Sequence, residues 1–514
     1  MFFHCFHFLS LLFVLFYLFS LLRILIASTS STITATRTTT STNNNGNKSY
    51  PFIGCLISFH RNSHRLIHWF TDLLKVSPSQ TIVLHRFGRK SQMIVTANPN
   101  NVEHILKTNF ENYPKGKPFT DLLGDFLGMG IFNVDGDLWS TQRKLASHEF
   151  STKSLREFEV SVLEEEVSKR LIPLLEKSVQ NNDVLDMQDV FRRLAFDTIC
   201  KISLGWDPCF LDYTKPVPLL ASAFDLAAGA SAMRGVALAN WVWKAKRLLT
   251  IGSERKLKEA VGIVHREVDD IIRERRQQMA GNESRRDLLS MFISAGHDDE
   301  LVRDMVISFL MAGRDTTSAA MTWLLWLLTW HPTIEKNVIK DVTYMTNDEN
   351  KSSLNFDDLK KMDYLKACLF ESMRLYPPVV WDSKHAKHDD VLPDGTRVYK
   401  GNRVMYFPYG MGRMETLWGK DCLEFRPDRW FSELGDFKME SPYKFPVFQG
   451  GPRVCLGKEM AIMQMKYVMA SILTRFDFVP VCSDQPVFVP MLTAHMDGGL
   501  KVRVRRRSDV CDQL

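Results

Sequence analysis

One long apolar segment most constrains how this chain can fold: HDDELVRDMVISFLMAGRDTTSAAMTWLLWLLTWHP, residues 297–332. Adjacent aspartates at its start can cap a helix and Pro332 ends it, which predicts about 30 helical residues, well beyond the usual length. Such a helix either crosses a membrane or runs through the centre of a large domain. Arg314 and Asp315 lie mid-segment, where charge is costly in lipid, and this favours a buried helix.

The centre of this helix carries the sequence AGRDTT, residues 312–317. Gly313 lowers helix propensity by about 1 kcal/mol relative to alanine, and adjacent threonine hydroxyls can bond to the helix's own carbonyls and loosen it. One interpretation is an opened groove in which a hydroxyl and a carboxylate face a cavity. The other is a small-residue notch for helix packing, with Arg314 and Asp315 in a structural ion pair. The segment alone leaves both open.

Length and composition allow one large core, because the chain has 514 residues and 45% hydrophobic content. Residues 154–177 and 255–279 carry apolar positions at helical spacing with charged opposite faces. The sequence therefore predicts a mainly α fold with small β-sheets. Short strands are predicted at residues 81–87, 92–97 and 500–507, and paired strands with a Pro-Asp-Gly turn at residues 392–407.

Charge and cysteine content exclude several classes of protein. The formal net charge of +6 is too small to indicate nucleic-acid binding. The nine cysteines are an odd number with no CxxC pair, which argues against a disulfide framework or a structural zinc site. An individual cysteine is usually a small buried hydrophobe.

The N-terminus predicts a membrane anchor. Residues 5–22 are about 18 uncharged, mostly apolar residues, close to the length that spans a bilayer. A cleaved signal is the alternative, but basic residues follow this run instead of preceding it, which favours an uncleaved anchor with the body in the cytosol. The predicted organisation is an anchor at residues 1–27, a flexible Ser/Thr/Asn-rich linker at 28–49 and one globular domain at 50–510.

Three further motifs stand out in the globular domain. Glycines, a proline and an arginine surround Cys455 in FQGGPRVCLG. Glu371 and Arg374 are three residues apart, as in a surface ion pair, but apolar residues surround them, and a buried pair needs a further partner such as Arg429. The last motif, Trp139 and Arg143, lies on one helical face; it is either a surface cation beside an aromatic or a pair that reaches an anionic cofactor.

In this order, the motifs resemble those of the cytochrome P450 monooxygenases. The cysteine loop of that family is F-x-x-G-x-R-x-C-x-G, and every fixed position is present here. Five such positions would recur by chance in roughly one chain in several thousand. The resemblance covers the predicted globular domain. It is carried by Trp139 and Arg143; by Ala312, Gly313, Asp315, Thr316 and Thr317; by Glu371 and Arg374; by Pro427, Arg429 and Trp430; and by Phe448, Gly451, Arg453, Cys455 and Gly457.

The resemblance implies a haem b cofactor with Cys455 as the thiolate ligand of its iron. A thiolate donates electron density to the iron and favours O–O cleavage. The backbone N–H groups of Leu456 and Gly457 would bond to the sulfur and tune it. Phe448 would cover the haem on the cysteine side, while Gly451 and Gly457 would permit a tight turn.

The resemblance also implies roles for charged and hydroxyl side chains. Arg453, with Trp139 and Arg143, would hold the haem propionates by charge-assisted hydrogen bonds. Thr316 and Asp315 would deliver protons on the opposite face of the haem, where dioxygen reacts. The residues expected to form a buried structural network are Glu371, Arg374 and Arg429.

The implied reaction is a monooxygenation that produces an alcohol and water, with electrons from NADPH through NADPH–cytochrome P450 reductase. The implied location is the endoplasmic reticulum membrane, with a single span and the catalytic domain in the cytosol. A haem-thiolate isomerase and a non-enzymatic haem protein are alternatives. Relatives of the isomerase kind usually alter the threonine region and the cysteine loop, and both are intact here.

Longer segments resemble the plant P450 family 94, among them AGRDTTSAAMTWLLWLL and FPVFQGGPRVCLGKEMA, and FTDLLGDFLGMGIFNVDGDLW resembles its B subfamily. Members hydroxylate the terminal region of aliphatic carboxylates, so the expected substrate is a small amphipathic carboxylate. Jasmonoyl-L-isoleucine, hydroxylated at carbon 12, is the first expectation. The alternative is a fatty acid ω-hydroxylase for cutin- or suberin-type lipids. Family analogy places the substrate pocket at Phe119–Phe126, Val379–Trp381 and Leu492–Thr493.

Overall fold

The fold is built from α-helices that surround one long buried helix, and the mainly helical class predicted from the sequence is confirmed. The computed structural model describes residues 55–85, 92–151, 153–236, 240–281, 287–346 and 354–507. The predicted anchor (1–27) and linker (28–49) lie outside these residues. Within the described ranges, no helix combines the length and apolar character needed to cross a bilayer.

The helices follow in chain order, and those predicted at 154–177 and 255–279 are confirmed as α6, α7 and α11. A π-helical stretch, Val167–Leu171, joins α6 to α7. The helices are α1 (Leu56–Arg61), α2 (Leu66–Val76), α3 (Pro99–Glu103), α4 (Lys117–Leu127), α5 (Gly136–Ser151), α6 (Lys153–Glu166), α7 (Ile172–Asn181), α8 (Met187–Leu204), α9 (Leu219–Val236), α10 (Asn240–Leu249), α11 (Ser253–Ala280), α12 (Leu288–Ser294), α13 (Asp299–Thr329), α14 (Pro332–Thr346), α15 (Phe356–Lys361), α16 (Asp363–Leu375), α17 (Pro408–Met411), α18 (Glu415–Trp418) and α19 (Lys458–Leu473).

The strands form small sheets at the periphery of the helices. They are β1 (Thr81–His85), β2 (Gln92–Thr96), β3 (Val184–Asp186), β4 (Asp382–His385), β5 (Asp390–Val391), β6 (Arg397–Val398), β7 (Arg403–Tyr406), β8 (Phe476–Pro480), β9 (Phe488–Val489), β10 (His495–Met496) and β11 (Lys501–Arg506). The larger sheet has the order β1-β2-β7-β4, in which β2 and β7 are parallel. The remaining sheets are β3-β11-β8, β9-β10 and β5-β6.

The predicted strand pair at residues 392–407 is only partly confirmed. The Pro-Asp-Gly turn joins β5 to β6, with Gly395 in the left-handed region at φ +85°. Strand β7 pairs with β2 and β4 instead of β6. The reason is burial: Val404 and Tyr406 of β7 are fully buried, so this strand belongs in the interior sheet, whereas β6 lies at the surface edge.

The central helix α13 is buried along most of its length, as predicted. Asp298 caps it by accepting a hydrogen bond from the backbone N–H of Leu301 at 2.9 Å. Residues up to Leu310 pack into one hydrophobic cluster, and residues from Ala320 onward pack into another. The AGRDTT sequence therefore lies where the two clusters meet.

The carboxylate of Glu371 on α16 is fully buried and accepts hydrogen bonds from several sides. The Arg374 guanidinium donates to both of its oxygens at 2.8 Å, and Arg429 Nε donates at 2.8 Å. The Trp430 indole and the Arg426 backbone N–H each donate at 3.0 Å. The predicted network of Glu371, Arg374 and Arg429 is present, and an indole and a backbone N–H extend it.

Arg374 also connects this network by hydrogen bonds to the segment that precedes the cysteine loop. Its guanidinium also donates to the carbonyl oxygens of Gly412, Cys422 and Glu424. A buried guanidinium with a carboxylate and three carbonyl acceptors has its donors satisfied, which offsets its loss of hydration. The network thus fixes residues 412–430 against α16.

Replacing Glu371 by Gln should destabilise the fold by about 3–5 kcal/mol, because it leaves the charge of Arg374 buried without a counter-ion. The measurement is urea unfolding followed by circular dichroism. The matched control is Glu157→Gln, which removes an exposed pair with Lys153 whose atoms are 3.6 Å apart and should hardly move the midpoint. Equal midpoints for the two variants would contradict the role of Glu371.

Candidate functional site

The cysteine loop, residues 448–457, has a shape that requires glycine at one position. Gly451 has φ +62°, and a Cβ placed on it would lie 2.0 Å from the carbonyl oxygen of Leu106. No larger residue fits there. The backbone N–H of Cys455 donates to the carbonyl of Phe448 at 2.8 Å, which closes the loop before α19 begins.

The Cys455 thiol is accessible, unlike the buried thiol of Cys200. Protein atoms nevertheless surround it, so it lies at the base of a recess, and this burial raises its pKa. The backbone N–H of Gly457 bonds to the sulfur, and Arg143 and Lys458 add positive charge, all of which favour the thiolate. The predicted bond from Gly457 is present.

The backbone turns at Leu456 and Gly457, as the sequence predicts. The φ of Gly457 is −83°, which any residue adopts, so this turn does not itself require glycine. A Cβ built on it would meet only Phe150, at 3.9 Å, which is an ordinary contact. The protein itself would accept a side chain here.

Positive charge gathers beside the cysteine loop. Arg453 donates to Asp135 at 2.7 Å and to the Val134 carbonyl at 2.9 Å, and its guanidinium carbon lies 4.4 Å from the centre of the Trp139 ring. Arg143 lies one turn beyond Trp139 on α5. The predicted group of Trp139, Arg143 and Arg453 is therefore brought together.

Arg143 has no acidic partner among the described residues, although it is half-buried. Burial lowers its pKa, and the nearby charge of Arg453 lowers it further, while the Cys455 sulfur acts in the opposite sense. A buried cation without a counter-ion is costly. This arrangement fits an anionic group bound beside Arg143 in the recess.

A second group of cations was not predicted from the sequence. Lys115 and Lys384 bond to the two oxygens of buried Asp382 at 2.7 and 3.0 Å, and the Tyr406 hydroxyl donates to it at 2.9 Å. Burial lowers the pKa of Lys384, with further lowering by Lys115 and Arg453. The available signal was an aspartate and a lysine two residues apart in the segment WDSKHAK, which follows α16 after five residues.

The centre of α13 is the opposite wall of the candidate site. Ala312, Gly313 and Thr316 are partly accessible, while the helix on both sides of them is buried. The Thr316 hydroxyl donates to the Ala312 carbonyl at 2.6 Å. Leu456, beside Cys455, packs against the same cluster as Leu310. The partial accessibility of Ala312, Gly313 and Thr316 is what the groove interpretation of AGRDTT requires.

The structural interpretation of AGRDTT is also confirmed. A Cβ on Gly313 would come within 2.6 Å of Ile199 on α8, so the glycine is a packing notch. Arg314 is 3% exposed and bonds to Asp315 at 2.7 Å and to Asp225 at 2.6 Å. The Asp315 carboxylate is thus held by Arg314.

Other predicted residues occupy the cysteine side of the recess. The Phe448 ring lies 5.9 Å from that of Phe370 on α16, between the Glu371 network and the cysteine loop. Lys458 lies 5.8 Å from the Phe448 ring. The Phe448 ring therefore packs the cysteine loop against α16.

The three predicted pocket segments meet at one cavity of about 150 Å³, to which they contribute Phe119, Leu122, Val380, Trp381 and Leu492 among other residues. Helix α4, which supplies the first two, contacts α13. A cavity of about 210 Å³ at α6, α14 and α19 contains none of the predicted site residues. The smaller cavity is therefore the one whose lining contains the predicted pocket residues.

The comparisons with known proteins agree with this geometry. The cytochrome P450 family matches residues 45–496. The crystal structure of the cytochrome P450DA heme domain superposes with a TM-score of 0.74 at 21% identity, over 89% of this chain and 96% of that one, and shows the same fold. The chain belongs to the cytochrome P450 family and is a haem monooxygenase that receives electrons from NADPH through a reductase.

Within that family it belongs to the plant family 94. Cytochromes P450 94B1 and 94B3 of Arabidopsis thaliana are each 58% identical to it, over 91% of this chain and 92% and 93% of their own lengths. Cytochrome P450 94A1 of Vicia sativa is 46% identical over 90% of both chains. The resemblance to the B subfamily is confirmed.

The site fits the haem that the family uses. An accessible sulfur at the base of a recess suits an iron ligand, and Arg143 without an acidic partner suits a propionate. Cys455 would hold the iron, and Arg143, Arg453 and Trp139 would hold the propionates.

Replacing Cys455 by Ser should abolish the thiolate-type carbon monoxide difference band of the reduced protein, because an alcohol does not supply the thiolate sulfur. The measurement is the spectrum of the reduced protein with carbon monoxide minus that of the reduced protein without it. The control is Cys482→Ser, which changes another exposed thiol and should leave the band intact. A thiolate-type band in the Cys455 variant would remove the ligand assignment.

Replacing Arg143 by Ala should weaken haem retention by about tenfold, since one charge-assisted bond to a propionate is lost. The measurement is the rate of haem transfer from the purified protein to apomyoglobin. The matched control is Lys144→Ala, which removes an exposed charge from the same helix and should leave the rate unchanged. Identical rates for both variants would show that Arg143 does not hold the cofactor.

Proposed function

We propose that this enzyme hydroxylates the terminal region of a small amphipathic aliphatic carboxylate, with jasmonoyl-L-isoleucine 12-hydroxylation as its reaction. The observation that carries the proposal is the cavity beside α4, whose lining is mainly apolar, together with the packing of α4 against α13. An apolar lining suits an aliphatic chain. Resemblance to the B subfamily favours the jasmonoyl conjugate over a long-chain fatty acid, which is the alternative substrate.

The residues of the groove have distinct proposed roles. When bound, the haem supplies dioxygen activation and the insertion of one oxygen atom into a C–H bond, the other leaving as water. Thr316 holds a hydroxyl proton at the groove, on the Ala312 carbonyl. Asp315 exchanges protons through its position beside Arg314. The walls of α4 and α13 orient the chain and exclude water.

We also propose that residues 1–27 anchor the enzyme in the endoplasmic reticulum membrane, with the catalytic domain in the cytosol. The support is the uncharged run at residues 5–22 and the basic residues that follow it. This location would place the enzyme beside NADPH–cytochrome P450 reductase. A haem-thiolate isomerase is the competing class, and it would consume no NADPH.

Purified enzyme with reductase and NADPH should convert jasmonoyl-L-isoleucine to its 12-hydroxy derivative, with NADPH consumed in proportion to product. Mass spectrometry of parallel reactions with jasmonoyl-L-isoleucine and a long-chain fatty acid identifies the products. Preferential ω-hydroxylation of the fatty acid would support the alternative substrate. Product without NADPH consumption would refute the monooxygenase proposal, and no product from either carboxylate would refute the substrate class.

A further inference from the structure

The larger cavity, of about 210 Å³, lies where α6, α7, α14 and α19 meet. Its described lining contains none of the residues assigned to the haem or to the substrate. Pockets for drug-sized ligands have volumes of about 300–1,000 Å³, so this cavity suits a smaller molecule. Its apolar lining residues are Val167, Ile172, Val342, Met345, Leu354 and Ala470.

One buried hydroxyl at this cavity has no hydrogen-bond partner among the described residues. It belongs to Tyr467 of α19, which is 4% exposed and lines the cavity. The other hydroxyls of the described lining each donate to the carbonyl four residues earlier, at 2.6–2.9 Å; they belong to Ser168, Ser471 and Thr474. Burial raises the pKa of Tyr467 to about 12, so its hydroxyl keeps its proton at neutral pH and can donate to a ligand.

Two opposite charges lie near this hydroxyl. Glu164 is in the last turn of α6 and Arg475 follows α19, and both line the cavity. The charge of Glu164 raises the pKa of Tyr467 further and the charge of Arg475 acts in the opposite sense, so both lie within electrostatic range of it. The Arg475 guanidinium donates to the Ser471 carbonyl at 2.8 Å. Neither Glu164 nor Arg475 forms an ion pair among the described residues, with each other or with a third group.

The remaining charged residue of the described lining, Asp358, is already engaged. It forms a capping box at the start of α15, in which its carboxylate accepts from the Asn355 backbone N–H at 3.2 Å and the Asn355 side chain accepts from the Asp358 N–H at 3.0 Å. One carboxylate and one guanidinium thus remain to meet a ligand. Because their signs are opposite, a ligand that has both an anionic and a cationic group complements the cavity better than a simple anion or cation.

We propose that this cavity binds a free α-amino acid with an apolar side chain, such as leucine. Arg475 and the Tyr467 hydroxyl bond to its carboxylate, and Glu164 bonds to its ammonium group. The apolar part of the wall, which includes Val342 and Leu354, covers its side chain. A residue within a peptide has at most one of the two terminal charges, so the ligand is the free amino acid. This inference goes beyond the proposed function and does not depend on it.

The test measures binding to the purified full-length holoenzyme by isothermal titration calorimetry. The reference probe is L-leucine, and three further probes each lack one of its groups. L-Leucinamide lacks the carboxylate, 4-methylpentanoic acid lacks the ammonium group and glycine lacks the apolar side chain. The absorbance of the haem is recorded in the same titrations.

The variants each remove one polar group from the cavity; they are Tyr467→Phe, Arg475→Met and Glu164→Gln. The matched controls change exposed side chains that do not line the cavity; they are Tyr399→Phe, Arg505→Met and Glu157→Gln. The carbon monoxide difference band of each variant checks that it has folded with haem.

Wild-type enzyme should bind L-leucine at least about tenfold more tightly than each other probe, since each lacks a group that the cavity complements. Tyr467→Phe should weaken L-leucine about tenfold. Arg475→Met should remove the preference over L-leucinamide, and Glu164→Gln should remove the preference over 4-methylpentanoic acid. The three controls should bind as wild type does, and L-leucine should leave the haem absorbance unchanged.

Absence of L-leucine binding to the wild type would overturn the proposal, as would equal affinities for L-leucine and L-leucinamide. A change in haem absorbance that persists in Tyr467→Phe would place the amino acid in the haem recess and would overturn it too. Glu164 and Arg475 are exposed, so their variants decide the question if Tyr467→Phe does not fold. None of these measurements depends on substrate oxidation, so a failure here is distinct from a failure of the proposed function.

Discussion

The buried carboxylate of Glu371 is the interaction on which the catalytic architecture depends. It holds Arg374 and Arg429 and, through Arg374, the carbonyls of residues 412–424. Trp430, which also bonds to Glu371, packs on Phe370 with a ring distance of 5.4 Å. Since Phe370 also contacts the cysteine loop at Phe448, the position of the thiol is set by a charge network on another helix.

The same structure concentrates positive charge where an anionic cofactor binds. Arg453 is partnered by Asp135 and Asp382 is shared by two lysines, but Arg143 has no acidic partner among the described residues. A buried charge without a counter-ion destabilises a fold. Haem propionates beside Arg143 would balance it, so we expect cofactor binding and folding to be coupled in this protein.

The two interpretations of AGRDTT prove compatible. Gly313 lets α8 approach closely, and Arg314 bonds to Asp315 and Asp225, as the structural interpretation requires. The same residues leave the helix partly accessible at Thr316, as the functional interpretation requires. One motif can therefore contribute both to helix packing and to a functional site. A short motif indicates the site, but it does not show which hydrogen bonds its residues make.

The sequence by itself determined the helical class, the long central helix and the identity of the cysteine loop, because periodicity and motif spacing are local properties of the chain. It also paired Glu371 with Arg374, since three residues span one helical turn. Only the tertiary structure placed β7 in the interior sheet. Lys115 and Lys384 meet across 269 positions of sequence at Asp382, and Glu164 and Arg475 share a cavity from different elements. Such contacts depend on how distant segments pack, and no local pattern in the chain encodes them.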